Sequence, residues 1–431
     1  MENQHLQEKK WYNNFSVKMI ILGLLGLLLL IPLQMVKNII RERALYADET
    51  RTEIGDLWAH KQTITGPVLN IPCKKHNYKD GKFLISTLHI LPEKLMIEAV
   101  VKPEIRYRGI YETVVYETEI NLEGAFCLED IANTNTDEYN WDQAYISLGV
   151  SDNKGLIGNI LLHLDNFTIE AKPGTVQTDI FSSGITFPVN VSTPNSGEFK
   201  GLFRINIGLK GSEGIYFSPV GKNTNVKIKS SWPTPSFQGN FIPDEKEIND
   251  EGFIASWLIT HLNRNFPQAW VGGGFLPEND SFGVNLMVEV DHYKKAERSA
   301  KYGLLFILLT FFVLLIIEIR SLERIHIFYY ILVALALILF FSLLNALSEK
   351  LGFNLSYLIS SVATISLLGT FFNSLLKKGW IIVVVSGTLS ILYGFIFILL
   401  AMKDYAYLVG NIGLFLLLGI LMIISSKYRI F

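Results

Sequence analysis

The sequence predicts a membrane protein: one N-terminal transmembrane helix, a large extracytoplasmic domain of mainly antiparallel, sandwich-like β-structure, and a C-terminal bundle of five transmembrane helices. Three observations carry this. Apolar runs are confined to the two ends of the 431-residue chain, the long middle alternates with period two, and Lys and Arg gather in one set of short loops. The composition, 49% hydrophobic and 18% charged, with mean hydropathy +0.30, is more apolar than an ordinary soluble chain. A net charge of −2 and a pI near 6.5 leave no basic field of the kind nucleic acid requires. Nucleic acid is set aside as a partner.

Residues 1–18 read as a short cytoplasmic N-terminus carrying Lys9, Lys10 and Lys18. The first span is Met19 to Val36, MIILGLLGLLLLIPLQMV. No small-x-small cleavage site follows it, and the chain runs on into Lys37, Arg41, Glu42 and Arg43, which predicts an uncleaved signal anchor. Pro32 is tolerated near its outer end. Within 301–426, five runs at about 302–319, 327–347, 355–376, 380–402 and 407–425 each approach the roughly 20 residues that cross about 30 Å of hydrocarbon. Aromatic residues mark the expected boundaries: Trp11, Tyr12, Tyr302, Tyr329, Tyr330, Trp380, Tyr405, Tyr407 and Tyr428. Arg320, Arg324, Lys377, Lys378, Lys427 and Arg429 fall in one set of loops, against Lys350 and Lys403 in the other. That bias places both termini, including the tail 427–431, in the cytoplasm and residues 37–300 on the far side of the membrane.

Within 37–300 the stretches Lys94 to Val101, Tyr107 to Glu119, Ala144 to Val150, Gly201 to Leu209, Asn225 to Ser230 and Phe282 to Val290 read as strands bounded by turn residues. Many short strands at this spacing predict antiparallel sheets packed as a sandwich or open barrel. Two juxtamembrane helices frame them. Lys37 to about His60 continues out of the first span and stops before Gly66-Pro67. Asp291 is positioned to cap a helix running into the second span and carrying Lys294, Lys295, Arg298 and Lys301. These helices read either as plain stalks or, through the basic stripe Lys294, Lys295 and Arg298, as contacts to lipid head groups. Thr134 to Asn140 reads as a loop.

No metal-protease, nucleophile-elbow, phosphate-loop or dinucleotide motif occurs. Ser151-Asp152-Asn153-Lys154 spells both SxxK and SDN, but the two overlap, no KTG follows and Gly155 is next, so it reads as a turn. Cys73 and Cys127 allow one disulfide, two free thiols or, with His76, a fragment of a metal site that lacks further ligands. No cofactor is implied. The densest local signature runs from Ser230 to Pro243: Pro233, Pro235 and Pro243 exclude a central strand, while Trp232, Phe237 and Phe241 must bury. It reads as a rigid elbow or, together with Trp257, as an aromatic-lined groove for peptide, glycan or lipid. In the spans, Ser342, Asn345 and Glu349 share one helix face, and Ser386, Ser390 and Gly394 recur every fourth residue. Both sets read as helix packing or as a polar path, and Glu318, beside Arg320, can snorkel and pair.

Several segments together resemble the CreD family of bacterial inner membrane proteins. They are IIRER at Ile39 to Arg43, Gly66-Pro67-Val68-Leu69 with Ile71-Pro72, Arg108-Gly109-Ile110-Tyr111-Glu112, the elbow from Ser231-Trp232 to Pro243, Gly252 to Trp257, Asp291-His292-Tyr293, Lys301-Tyr302, and Leu309-Thr310-Phe311. Cys73 departs from the aromatic residue the family would place there. The resemblance implies a role in cell-envelope integrity and envelope-stress tolerance under a two-component system, and it brings no catalytic residues. The leading expectation is a non-enzymatic envelope factor whose periplasmic β domain meets lipid or envelope components. The alternatives are a transporter or lipid-handling protein using the five-helix block, and a membrane-anchored periplasmic hydrolase built on Ser151, His163 and His261.

Overall fold

The computed structural model describes residues 15–77, 82–127, 138–176, 179–189, 200–286, 291–321, 325–376, 378–402 and 406–427. The chain divides into two compact units, Met1–Ala47 with Glu289–Phe431, and Asp48–Val288.

The helical unit follows from the apolar runs. Helix α1 spans Phe15–Leu28 and α2 Leu30–Trp58, whose last turns belong to the other unit. The break at Leu29 has a local cause. Pro32 has no N–H to give Leu28 O, yet the flanking bonds Leu29 N to Leu25 O (2.9 Å) and Leu33 N to Leu29 O (3.3 Å) carry the helix through. Then come α3 (Asp291–Lys301), α4 (Gly303–Ser321), α5 (Ile327–Leu351), α6 (Phe353–Leu376), α7 (Gly379–Ala401) and α8 (Ala406–Lys427). Among the described residues five helices, the N-terminal one and α4 to α7, are long and apolar enough to cross a membrane. Helix α8 lies where the sixth span is expected. Asp291 does not precede α3 as a cap but is already helical. The unit's core is aromatic and aliphatic: Phe306, Phe340, Phe341, Leu337 and Tyr393 are each 3% exposed or less.

The other unit is two stacked sheets around one apolar core. The larger has the order β14 (Ser236–Gly239), β18 (Phe282–Asn285), β12 (Gly214–Phe217), β1 (Gln62–Asn77), β6 (Tyr145–Val150), β10 (Gly184–Pro188), β9 (Lys172–Pro173). Off that path β2 (Lys82–Ile90) pairs β1, β17 (Ala269–Val271) pairs β2, and β5 (Glu138–Tyr139) pairs β1. The second sheet has the order β15 (Glu245–Asn249), β16 (Gly252–Thr260), β13 (Asn223–Ser230), β3 (Lys94–Arg108), β4 (Tyr111–Cys127), β11 (Lys200–Ser212), β7 (Leu156–Leu164), β8 (Phe167–Glu170). The strict buried-exposed alternation of β13 and of Lys94 to Val101 in β3 is what one face on a core and one face free demands.

Two sequence readings are corrected. The strand expected over Tyr107 to Glu119 contains a hairpin: Arg108 pairs Tyr111, and Gly109 takes φ +65° in the two-residue turn. Alternation continues across so short a turn, which hid it. The sheets are mainly antiparallel, as expected, and two pairs, β1 with β12 and β3 with β13, run parallel, because strands far apart in sequence are free of hairpin geometry. Glu138 and Tyr139 of the expected loop form β5, while 134–137 lie outside the described residues.

Candidate functional site

Each elbow residue has a place. Phe237 sits on the short edge strand β14, where prolines are tolerated, and packs edge-on against Phe253 and Trp257 at 5.8 Å. Phe241 packs edge-on against Phe282 at 5.8 Å, and its carbonyl accepts from Trp257 Nε1 at 3.3 Å. Trp257 is 1% exposed, Trp232 lies half-buried on the same core, Pro233 is exposed and Pro235 half-buried. The rings fill one another's space, so the elbow plugs the core with Phe237, Phe241 and Trp257 and leaves no aromatic groove among them.

A concavity lies elsewhere. A groove of about 830 Å³ crosses the outer face of the eight-stranded sheet. Its floor is one cross-strand row. Leu258 of β16 pairs Asn225 of β13, which pairs Met96 of β3. Met96 in turn pairs Glu123 of β4, then Arg204 of β11 and His163 of β7. Lys94, Asn223, Leu202, Asp165 and Asn206 complete the walls. Arg204 Nε meets Glu123 Oε1 at 2.8 Å, Asp165 accepts from Leu202 N at 3.0 Å, and His163 bonds Thr168 at 3.0 Å. The groove's exposed strand residues, Lys94, Met96, Leu202, Arg204, Asn206, Asn223, Asn225 and Leu258, are outward positions of alternating strands, where a polar or small apolar side chain costs little.

A buried polar row occupies the ten-stranded sheet. Trp270, His89, Asn70 and Tyr145 are in register on β17, β2, β1 and β6. Asn70 Nδ2 donates to Ser147 Oγ (2.6 Å) and Val68 O (3.0 Å), so its Oδ1 accepts from His89 Nδ1 at 2.7 Å. Burial lowers the His89 imidazole to about 4, although Asp179 Oδ2, 3.8 Å from Nε2, favours the charged ring. Burial likewise raises the Tyr145 phenol to about 12. At pH 7 this is a neutral, fixed network.

The serine motif is structural. Ser151 Oγ donates to Lys61 O at 3.0 Å and accepts from Thr63 N at 2.9 Å, while Asp152 caps the short turn through Lys154 N at 3.0 Å. Ser151 follows β6 in one sheet, His163 lies on β7 of the other and His261 on a turn after β16. No hydrogen bond joins any two of these three among the described residues. Cys73 and Cys127 are not joined in a disulfide. No group of three or more His, Cys, Asp or Glu placed to hold a metal occurs among the described residues, and the side chain of His76 lies outside them.

In the helical unit, Lys294 and Arg298 are exposed on α3, and Lys295 reaches to 5.8 Å from the Phe353 ring. Asn345 is buried, and Glu349 accepts from Tyr293 at 3.1 Å. The expected seam on α7 is corrected. Ser386 packs on Gly369 of α6, but Ser390 and Gly394 are exposed, because the buried stripe is Ile381, Val385, Leu389, Leu392 and Ile396. Glu318 pairs not with Arg320 but with Lys18 of α1 at 2.5 Å, and Tyr330 donates to the same carboxylate at 3.1 Å.

Sequence reasoning missed the groove because no local motif marks it. The available signal was the outward half of three alternating segments, Met96, Arg204 with Asn206, and Asn225.

The five long apolar helices among the described residues and a large two-sheet unit define a multi-span membrane protein. The chain belongs to the CreD family: the profile described as "Inner membrane protein CreD" matches residues 14–430. It is similar to the Inner membrane protein CreD of Escherichia coli (strain K12), at 28% identity over 412 residues, which covers 93% of this chain and 90% of that relative.

Proposed function

We propose that this inner membrane protein supports cell-envelope integrity and envelope-stress tolerance without catalysing a reaction. Residues 37–300 face the periplasm, both termini face the cytoplasm, and the outer face of the eight-stranded sheet is the interaction surface. The observation that carries this reading is the groove of about 830 Å³, a broad concave face on a rigid sheet in a unit without a spanning helix among its described residues. The aromatic interior of the helical unit, with Phe306 against Tyr393 at 4.7 Å and Phe340 against Tyr393 at 4.6 Å, favours anchoring over a solute path. The exposed basic residues Lys294 and Arg298 of α3 suit lipid head groups.

The test is a deletion strain challenged with detergent, colicins and cell-wall antibiotics. Sensitivity is expected to rise, and the intact chain is expected to restore tolerance where a variant with Leu202→Asp and Leu258→Asp does not. Unaltered sensitivity of the deletion strain would refute the role. Alkaline phosphatase fused near residue 200 is expected to be active, and an inactive fusion would overturn the orientation.

A further inference from the structure

We propose that the groove binds an uncharged, polyhydroxylated chain, an oligosaccharide of the envelope. This rests on reading the groove as the interaction surface and names its occupant.

The row from Leu258 to His163 crosses six adjacent strands, and at about 4.8 Å per strand it is about 24 Å long. That is a track for a linear chain and exceeds what one small molecule needs. Its charges cancel. Lys94 and Arg204 stand against Glu123 and Asp165, with Arg204 and Glu123 paired at 2.8 Å. A strongly anionic ligand would meet two carboxylates, and a cationic one two bases, so the surface complements a neutral chain.

Three of the groove's free hydrogen-bonding groups are amides. Asn206, Asn223 and Asn225 are exposed, and their side-chain amides make no hydrogen bond within the described protein. An amide offers donors and an acceptor side by side, which matches a hydroxyl, itself both donor and acceptor. Between these polar groups lie Met96, Leu202 and Leu258, 47%, 63% and 61% exposed. They offer apolar patches to the C–H faces of sugar rings.

A peptide fits less well. The backbone groups of these strands are spent on pairing with one another, so an extended peptide lying across the face would leave its own N–H and C=O groups to side chains alone. Peptides add to sheets at edges, and the edges of this sheet are β15 and β8, at its two margins.

The experiment uses the full chain in a detergent without sugar head groups, such as lauryldimethylamine oxide. Probes are the β-1,4-linked N-acetylglucosamine hexamer, a linear glucan hexamer and an uncharged Gly/Ser hexapeptide, followed by saturation-transfer NMR and titration calorimetry. At least one hexasaccharide is expected to bind saturably, and the exposed double variant Asn206→Ala, Asn225→Ala is expected to weaken it at least tenfold with an unchanged thermal midpoint. Absence of saturable binding of either sugar, binding unaltered in the variant, or hexapeptide binding that displaces the sugar would overturn the proposal. The same variant is then returned to the deletion strain. Failure to restore tolerance in the absence of sugar binding keeps the groove as interaction surface and discards the glycan, whereas full restoration discards the groove reading itself.

Discussion

Lowering the pH from 7 to 4.5 is expected to weaken the β-sheet unit at His89 by about 2 kcal/mol. The imidazole is 1% exposed and titrates near 4 in place of its ordinary 6.5. That difference is a preference of about 3 kcal/mol for the neutral ring in the folded state. The sign follows from proton counting. Between pH 6.5 and 4 the unfolded chain holds a proton at this residue and the folded one does not, so stability rises with pH across that window. The contribution is whole above 6.5 and is lost as pH falls toward 4. At pH 4.5 about 2 kcal/mol of it is gone. The ring cannot escape by turning, since Nδ1 is committed to Asn70 at 2.7 Å, and Asn70 to Ser147 at 2.6 Å. Hydrogen exchange of the β2 amides, followed by mass spectrometry on the full chain in micelles and corrected for intrinsic rate, reads the loss as reduced protection. His89→Gln, which can still donate to Asn70, should remove the acid-dependent part. Equal acid sensitivity in the two proteins, or a His89 titration midpoint near 6.5, would refute the argument.

Lys18→Met leaves Glu318 half-enclosed with Tyr330 as its one partner among the described residues and is expected to cost about 3–5 kcal/mol. The double variant Lys18→Met, Glu318→Gln should recover most of this in thermal denaturation in detergent. Trp257→Ala removes the ring under the elbow, at 5.8 Å from Phe237 and 5.5 Å from Phe282. A loss of about 3–5 kcal/mol and protease cleavage near Phe237 are expected, and an uncleaved elbow would contradict the plug assignment. A Cβ at Gly124 would stand 2.1 Å from Lys94 O, a backbone atom that cannot swing aside. Gly124→Ala is therefore expected to cost about 1–3 kcal/mol and to loosen the β3–β4 amides in hydrogen exchange, and unchanged protection there would count against the geometry.

Much of this architecture is legible along the chain because its causes are local. A run such as Met19 to Val36 has no use outside hydrocarbon, and the alternation of Lys94 to Val101 can satisfy only a strand with one face on a core. The serine turn at Ser151 is readable for the same reason, since Asp152 accepts from Lys154 N and Gly155 N donates to Asp152 O within the turn itself. Helix faces in the bundle are less so. Ser386 and Ser390 share a spacing but not a fate, because the apolar stripe from Ile381 to Ile396 decides which side of α7 turns inward.

What the sequence by itself determined is the partition into apolar ends and a sheet-forming middle, together with the elements of local period. Only the tertiary structure decided that Met96, Arg204 and Asn225 share one row, that His89 and Asn70 meet, and that Trp257 is closed over by Phe237. Strand register between segments more than 100 residues apart, such as β3 and β13 with Met96 opposite Asn225, follows from how two whole sheets exclude water together. No spacing within either strand encodes it.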